Sequence, residues 1–246
     1  YTGWYTLSLH DALPIYPRPA VLAEAIAALR PGGGSLHQAM RTRQLTQERK
    51  FSELAQLYEQ ALGTDKENIA LQIQHAWATA ACGQHQRALD LYRRVLDKRP
   101  VPEAANNAAN LVGLFYRQDK ALVAEARAWA QAAVAAAPEN VAFHETAAWL
   151  DCLQGRYREA AEQLRQVIRR LPGSAAVHYH LGAAEMGVGR KELGLWHLEE
   201  AVTLAGLALK SASDDEELKA VLEQATGALA QASSQPASRP AAAARK

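Results

Sequence analysis

This sequence has few cysteines and few aromatic residues, and its positive and negative charges nearly cancel. Its 246 residues include only two cysteines, Cys82 and Cys152, which lie far apart and in no spacing typical of a metal site. We therefore expect two reduced, buried thiols, and a disulfide between them is the open alternative. The formal net charge is only +1, which argues against a dedicated nucleic-acid or membrane-surface role.

Long apolar runs are also missing, since no stretch approaches the roughly 20 residues that a membrane-spanning helix needs. Alanine, by contrast, is abundant, and 49% of the residues are hydrophobic, as in globular proteins. A sequence rich in alanine and poor in β-branched residues favours helix. The composition thus predicts a globular, helical protein.

Proline and glycine recur at a near-constant interval through the middle of the chain. Pro138 and Pro172 stand 34 positions apart, and so do Gly155 and Gly189. A period of this size indicates a structural repeat. In each unit, apolar residues at i, i+4 and i+7 lie on one face of a helix. Glycine suits the left-handed turn after a first helix, and proline ends the second. Each unit is therefore predicted to be a helical hairpin that buries its apolar face by stacking.

This pattern resembles the tetratricopeptide repeat family. The best matches are Leu181-Gly182 with Gly189, Leu198 and Ala201, and Gly155-Arg156-Tyr157 with Ala160, Leu164 and Pro172. The resemblance implies an all-α fold, a right-handed superhelical solenoid of antiparallel helix hairpins with a C-terminal capping helix. It covers about two-thirds of the chain in five units: 35–68, 69–102, 107–140, 141–174 and 175–208.

The third unit and the two ends of this array depart from the regular pattern. The third unit is four residues too long, which places an extra helical turn either before Asn107 or between Tyr116 and Ala126. Residues 209–231 predict the capping helix, with Ser213 as its candidate N-cap. The segment 232–246 is rich in proline, alanine and serine, and we expect it to be disordered.

The first 15 residues differ in character from all that follow. The chain begins without methionine, and its WYTLSLHDALPI stretch has no part in the repeat period. This segment resembles translated sequencing-adapter read-through, and the alternative is a genuine N-terminal strand or loop. We expect residues 1–15 to carry no function and residues 16–34 to hold one helix of a partial repeat and a linker. The chain would then be a C-terminal fragment of a longer bacterial protein.

No residue pattern in the sequence is typical of catalysis or cofactor binding. GAAEMGVG follows no strand, PGGG at 31–34 lacks the following lysine of a phosphate loop, and no nucleophile elbow is found. His144 and His178 occupy equivalent positions in consecutive units, with His180 near the second, but no third metal ligand is suitably spaced. We predict packed or surface histidines, no enzymatic activity, no cofactor and no metal.

In tetratricopeptide repeat proteins the first helices of successive units line a concave groove. Residues at the groove positions of the family are the candidate peptide-binding residues: Ile73, Trp77, Leu111, Phe115, Glu145, Trp149, Tyr179 and Met186. The aromatic members would form a solvent-facing ladder that suits an extended or helical apolar peptide. The alternative is that these aromatics pack between adjacent helices and are mostly buried.

One subclass of the family clamps an acidic C-terminal tail with lysine and asparagine at set first-helix positions. Those positions here carry Ile73, Trp77, Glu145 and Tyr179. The clamp is absent, and we do not expect an acidic C-terminal tail as the ligand.

The resemblance and the aromatic residues together predict a non-catalytic scaffold or adaptor that binds a protein or peptide partner in a concave apolar groove, and no nucleic acid. Two alternatives stay open. One is the repeat region of a larger bacterial enzyme, such as a glycosyltransferase or a protease. The other is an envelope protein of exopolysaccharide export or outer-membrane assembly. Localisation is left open between cytoplasm and periplasm.

Overall fold

A computed structural model describes residues 35–234, with side chains from 39 to 232. The predictions for residues 1–34 and 235–246 lie outside the described residues. Within 35–234 the chain is all-α, as predicted, and each helix packs against the next. The helices are α1 (Ser35–Gln47), α2 (Phe51–Thr64), α3 (Ile69–Ala81), α4 (His85–Lys98), α5 (Pro102–Phe115), α6 (Lys120–Ala136), α7 (Val141–Leu153), α8 (Tyr157–Arg170), α9 (Ala175–Val188), α10 (Lys191–Leu209) and α11 (Glu216–Ser234).

The regular glycines form the turns inside the hairpins. Gly83, Gly155 and Gly189 have φ values of 82°, 80° and 90°, a backbone conformation that side chains with a Cβ rarely adopt. The 34-residue period of the sequence is thus the period of these left-handed turns. The first hairpin has Arg49 in the same role, with φ 55°.

Side-chain caps begin four of the helices between α1 and α10. Each cap accepts a hydrogen bond from a backbone N–H in the first turn, which satisfies a donor that has no partner inside the helix. The caps are Asn68 for α3, Asp119 for α6, Asn140 for α7 and Ser174 for α9. Helix α5 begins instead with Pro102 at its first position, where the missing N–H costs nothing.

The third hairpin begins at Pro102, five residues before the repeat boundary expected at 107. Its second helix, α6, has 17 residues, whereas α4 and α8 have 14 each. The extra turn therefore lies between Tyr116 and Ala126. This places the whole of α5 in register with the other first helices. The division of the chain into five repeats otherwise stays a prediction.

The C-terminal helix starts later than the sequence indicates. Helix α10 continues to Leu209, and α11 begins at Glu216 and runs to Ser234, beyond the expected end at 231. The cap of α11 is Asp215, not Ser213, because its Oδ1 atom accepts a hydrogen bond from the Leu218 N–H over 3.0 Å.

The core lies between the two layers of helices, where small and large side chains alternate. The large residue of the repeat pattern is almost fully buried at each of its clearest positions, and so is the residue four positions earlier, which is small in all but the first hairpin. Full burial of one such leucine or tyrosine stabilises the fold by roughly 1.5–3 kcal/mol. The large residues are Tyr58, Tyr92, Leu164 and Leu198, and the small ones include Ala88 and Ala160.

Two equivalent buried acids tie neighbouring hairpins together near the ends of α7 and α9. Asp151 accepts from two arginines at 2.5 and 2.7 Å, and Glu185 is paired in the same way one repeat later. Because each acid is buried and paired, removing its partners would leave an uncompensated charge. The partners are Arg127 and Arg156 for Asp151, and Arg165 and Arg190 for Glu185.

Both cysteines are unpaired in the structure. Cys152 is buried, and burial raises the pKa of its thiol to about 12, whereas Cys82 is only half-buried. The expected burial therefore holds for Cys152 alone. None of the helices in the described part of the chain is long and apolar enough to cross a membrane.

Candidate interaction groove

The first helices of the hairpins, α3, α5, α7 and α9, carry all eight predicted groove residues, and most of these are not open to solvent. Trp77 and Trp149 are each only 2% exposed. The expected solvent-facing aromatic ladder is therefore corrected to a set of packed side chains. Six of the eight are buried: Ile73, Trp77, Leu111, Glu145, Trp149 and Tyr179. Phe115 and Met186 are half-buried.

Trp149 is buried because it packs between the helices of neighbouring hairpins. Its indole N–H donates a hydrogen bond to the backbone carbonyl of Gly113 in α5 over 3.0 Å. On its other side it stacks on the ring of His180 in α9, with 4.1 Å between centroids and 13° between planes. Both contacts join Trp149 to other helices of the solenoid, so its first role is to fix the spacing of α5, α7 and α9.

The other two aromatics of the predicted ladder also have intramolecular partners. Trp77 meets Phe51 edge to face at 5.5 Å, within the small core of the first two hairpins. Phe115 stacks on His85 at 3.6 Å, and burial lowers the pKa of that histidine. Phe115 keeps part of its surface free, which makes it the aromatic of the three that a ligand can still reach.

Polar side chains are buried among these rings. His180 hydrogen-bonds through Nδ1 to Glu145 Oε1, and both residues are almost fully buried. Arg117 donates to the hydroxyl of Tyr179 over 3.0 Å, and Asn110 is buried in α5. The surface formed by the first helices is therefore mainly apolar, with a few fixed polar groups, as is typical of binding sites.

Helix α11 covers this surface. It packs against α5, α9 and α10. Val221 and Ala225 belong to the same buried cluster as Trp149 and Tyr179, and the Gln224 side chain donates to the backbone carbonyl of Leu114 over 3.0 Å. Part of the groove that the sequence assigns to a ligand is thus occupied by the C-terminal helix of the same chain.

The N-terminal end of α11 brings carboxylates into the groove. Glu217 is 6% exposed, and its carboxyl lies among Asn110, Asp215 and Glu145. Burial raises the pKa of this carboxyl well above its usual range, and the charges of Asp215 and Glu145 raise it further. A cavity of about 40 Å³ remains beside it, lined in part by Trp77 and Phe115. Helix α11 therefore fills the groove incompletely at this end.

An ion-pair cluster attaches the N-terminal end of α11 to the first hairpin. Arg49 Nε lies 2.6 Å from Asp214 Oδ1, and Arg49 Nη2 lies 3.1 Å from Asp215 Oδ2. Reasoning from sequence missed Arg49, Asp215 and Glu217. The one available signal was at position 49, which stands one period before Gly83 but carries arginine.

The two histidines at equivalent repeat positions have a structural role. His144 Nε2 lies 2.7 Å from the carbonyl oxygen of Pro138, and His178 Nε2 lies 3.1 Å from that of Pro172. Each ring therefore closes the loop that precedes its helix. Across residues 39–232, no group of three or more histidine, cysteine or acidic side chains is arranged to hold a metal ion.

Comparison with known proteins agrees with this architecture. Neither a family model nor a curated protein matches the chain in sequence. Solved structures do match in fold. A thermophilic TPR protein of Thermus thermophilus has a TM-score of 0.54 at 17% identity, over 77% of this chain and 97% of its own.

The MamA 41-end chain from Desulfovibrio magneticus RS-1 has a TM-score of 0.54 at 19% identity, over 75% of this chain and 99% of its own. An RS-1 MamA double mutant reaches a TM-score of 0.55 at 18% identity, over 70% and 95%. At these identities the likeness concerns the fold. The protein accordingly has a tetratricopeptide-repeat-like fold of stacked helical hairpins.

Proposed function

We propose that this chain is a non-catalytic scaffold for protein–protein interaction, and that its groove binds an amphipathic helix of a partner protein. The observation that carries the proposal is the position of α11. A helix with an apolar stripe already lies on the first helices, and its Gln224 side chain donates to a backbone carbonyl of the groove. Recognition of a helix by an apolar groove uses residues spaced like those of α11.

The groove supplies two kinds of contact for such a helix. Trp149 and Tyr179 form an apolar floor, and the Leu114 carbonyl accepts a hydrogen bond. Phe115 and Met186 have the accessible surface among the eight candidate residues. We assign direct ligand contact to these two and a supporting role to the six buried ones. The low net charge favours a protein over a nucleic acid as the partner.

Selection of displayed helical peptides against the whole chain tests this function. The affinity of each selected peptide is measured by fluorescence anisotropy for the wild type, for Phe115→Ala in the groove, and for Trp196→Ala on the outer surface of α10. Trp196 is 53% exposed and is the matched aromatic control. We expect peptides with apolar residues at i, i+3 and i+7 that bind Phe115→Ala at least about tenfold more weakly and Trp196→Ala unchanged.

Two results would contradict the proposal that the groove binds a partner helix. Selection without enrichment of any helical peptide would remove the support for a binding function. Peptides that lose affinity for Trp196→Ala but not for Phe115→Ala would place the binding surface on the outside of α10.

A further inference from the structure

We propose that α11 is an intramolecular ligand of the groove, held closed by Arg49, and that a partner helix binds by displacing it. This inference rests on the proposed function and adds to it a regulated, self-occluded state. It also defines the chemistry of the partner, because the helix that displaces α11 must satisfy the same groups.

The backbone at Arg49 is the first reason. Arg49 is the one residue other than glycine with a positive φ among residues 35–234, and it stands where the hairpins at Gly83, Gly155 and Gly189 carry glycine. A left-handed backbone conformation is unfavourable for a residue that has a side chain. Such strain persists where the side chain has a use that glycine cannot supply.

The second reason is what the Arg49 side chain does. It pairs with Asp214 and Asp215, which lie about 165 residues later in the chain, and its guanidinium lies 5.3 Å from the ring centroid of Phe51. Asp215 uses its other carboxylate oxygen to cap α11 through the Leu218 N–H. Arg49 thus fixes the position at which α11 starts. We call Arg49, Asp214 and Asp215 the latch.

The third reason is that α11 is an imperfect occupant. Its Glu217 carboxyl is buried beside Asp215 and Glu145, although like charges in a dry site repel. A cavity of about 40 Å³ is left unfilled between α11 and the Trp77 side of the groove. Both features weaken the attachment of α11, so a helix without them competes effectively.

These features specify the partner helix. It carries an apolar stripe at the spacing of Leu218, Val221 and Ala225, which are buried in α11. It has an acidic residue at its N-cap for the guanidinium of Arg49. It has an uncharged residue at the position that corresponds to Glu217, and this residue gives it an advantage over α11.

Competition with a synthetic peptide tests the displacement. The probe is a fluorescein-labelled peptide with the sequence of residues 212–234, and the proteins are the whole chain and its Asp214→Asn/Asp215→Asn variant. Asparagine keeps the shape and the capping ability of aspartate but removes the latch charges from the attached helix. Arg49 itself is unchanged in this variant. Asp119→Asn, which makes the same change at the exposed cap of α6, is the matched control.

We expect the peptide to bind the latch variant at least about tenfold more tightly than the wild type or Asp119→Asn, a difference of about 1.4 kcal/mol. A peptide with the Glu217→Gln change should bind more tightly than the unchanged peptide at neutral pH. Hydrogen exchange should be faster in α11 than in α9 of the wild type, and faster still in α11 of the latch variant.

Several outcomes would overturn the inference. Equal peptide affinity for the wild type and the latch variant would show that α11 does not compete for the groove. If the peptides from selection still bind, the proposed function stands without self-occlusion. If no helical peptide binds either protein, both the self-occlusion and the proposed function are wrong. Should the latch variant not fold, α11 amides of the wild type that exchange as slowly as those of α9 would identify α11 as a permanent part of the core.

Discussion

The indole nitrogen of Trp149 in α7 donates a hydrogen bond to the carbonyl oxygen of Gly113 in α5, over 3.0 Å. The contact exists because Gly113 has no side chain. A Cβ added there would lie 2.7 Å from the indole Cδ1 atom, closer than real Cβ contacts. These two residues therefore set the distance between the first helices of adjacent hairpins, and with it the floor on which α11 rests.

Trp149→Ala should lower the free energy of unfolding by about 3–5 kcal/mol, because it leaves a large cavity in a buried cluster. Trp149→Phe should cost less, about 1–3 kcal/mol, because most of the volume stays and the buried Gly113 carbonyl loses its donor. Urea unfolding followed by circular dichroism measures both. The exposed Trp196→Ala should change stability by no more than about 0.5 kcal/mol, and equal losses for the two alanine variants would contradict the assignment.

Gly113→Ala should destabilise the protein by about 1–3 kcal/mol, since the new methyl group must push the indole of Trp149 out of place. Gly63→Ala in α2 is the matched control, because nothing lies within 4 Å of the added atom. There the better helix propensity of alanine should stabilise the fold by up to about 1 kcal/mol. If Gly113→Ala and Gly63→Ala changed the free energy of unfolding by the same amount, the close contact between α5 and α7 would not contribute to stability.

The hairpins were predictable from the sequence because their signals are local. A glycine turn such as Gly155 needs its left-handed φ whatever surrounds it, and the i, i+4, i+7 stripe follows from helix geometry. The burial of the groove was not predictable in this way. Whether Trp149 faces solvent depends on Gly113, one hairpin away, and on α11, whose docking involves contacts as remote as Arg49 with Asp214. Position 49 carries arginine where other hairpins carry glycine, so the first turn lacks the glycine signal in the sequence. The same arginine is the residue that pairs with Asp214 at the start of α11.

Acid should weaken the packing between α9 and α10. Burial, and after it the neighbouring His178, whose Nδ1 lies 3.2 Å from that of His197, lower the pKa of His197 to about 4. A histidine with a depressed pKa binds its proton more readily in the unfolded state. Its contribution to stability is therefore complete above the ordinary value of 6.5 and is lost as pH falls from there towards 4.

The measurement for His197 is the Tm from circular dichroism between pH 7 and pH 4.5. The Tm of the wild type should fall more over this range than that of His197→Asn, which keeps a donor in place of Nδ1 but does not titrate. Parallel curves for the two proteins would exclude His197 as the titrating group.

Glu217 should have the opposite pH dependence. Its folded-state pKa lies well above the ordinary value of 4.5, so the folded protein holds the proton more tightly than the unfolded chain. The stabilisation is present below 4.5 and is lost as pH rises through the raised value. Glu217→Gln removes this loss, and at pH 7.5 it should slow hydrogen exchange in α11 relative to the wild type. Glu223→Gln, at an exposed position of the same helix, should not.

Arg49→Gly separates the two roles of the latch position. Glycine adopts the φ of 55° without strain, so the first hairpin should gain up to about 1–2 kcal/mol. The ion pairs with Asp214 and Asp215 are lost at the same time. Because the two effects oppose each other, the Tm should change little, whereas hydrogen exchange measured peptide by peptide should become faster in α11 and no faster in α1 and α2.

Arg49→Lys, which keeps both the charge and the strain, is the control for Arg49→Gly and should accelerate hydrogen exchange in α11 less. A variant that gains stability while the protection of α11 stays unchanged would show that the strained arginine does not hold the helix in the groove.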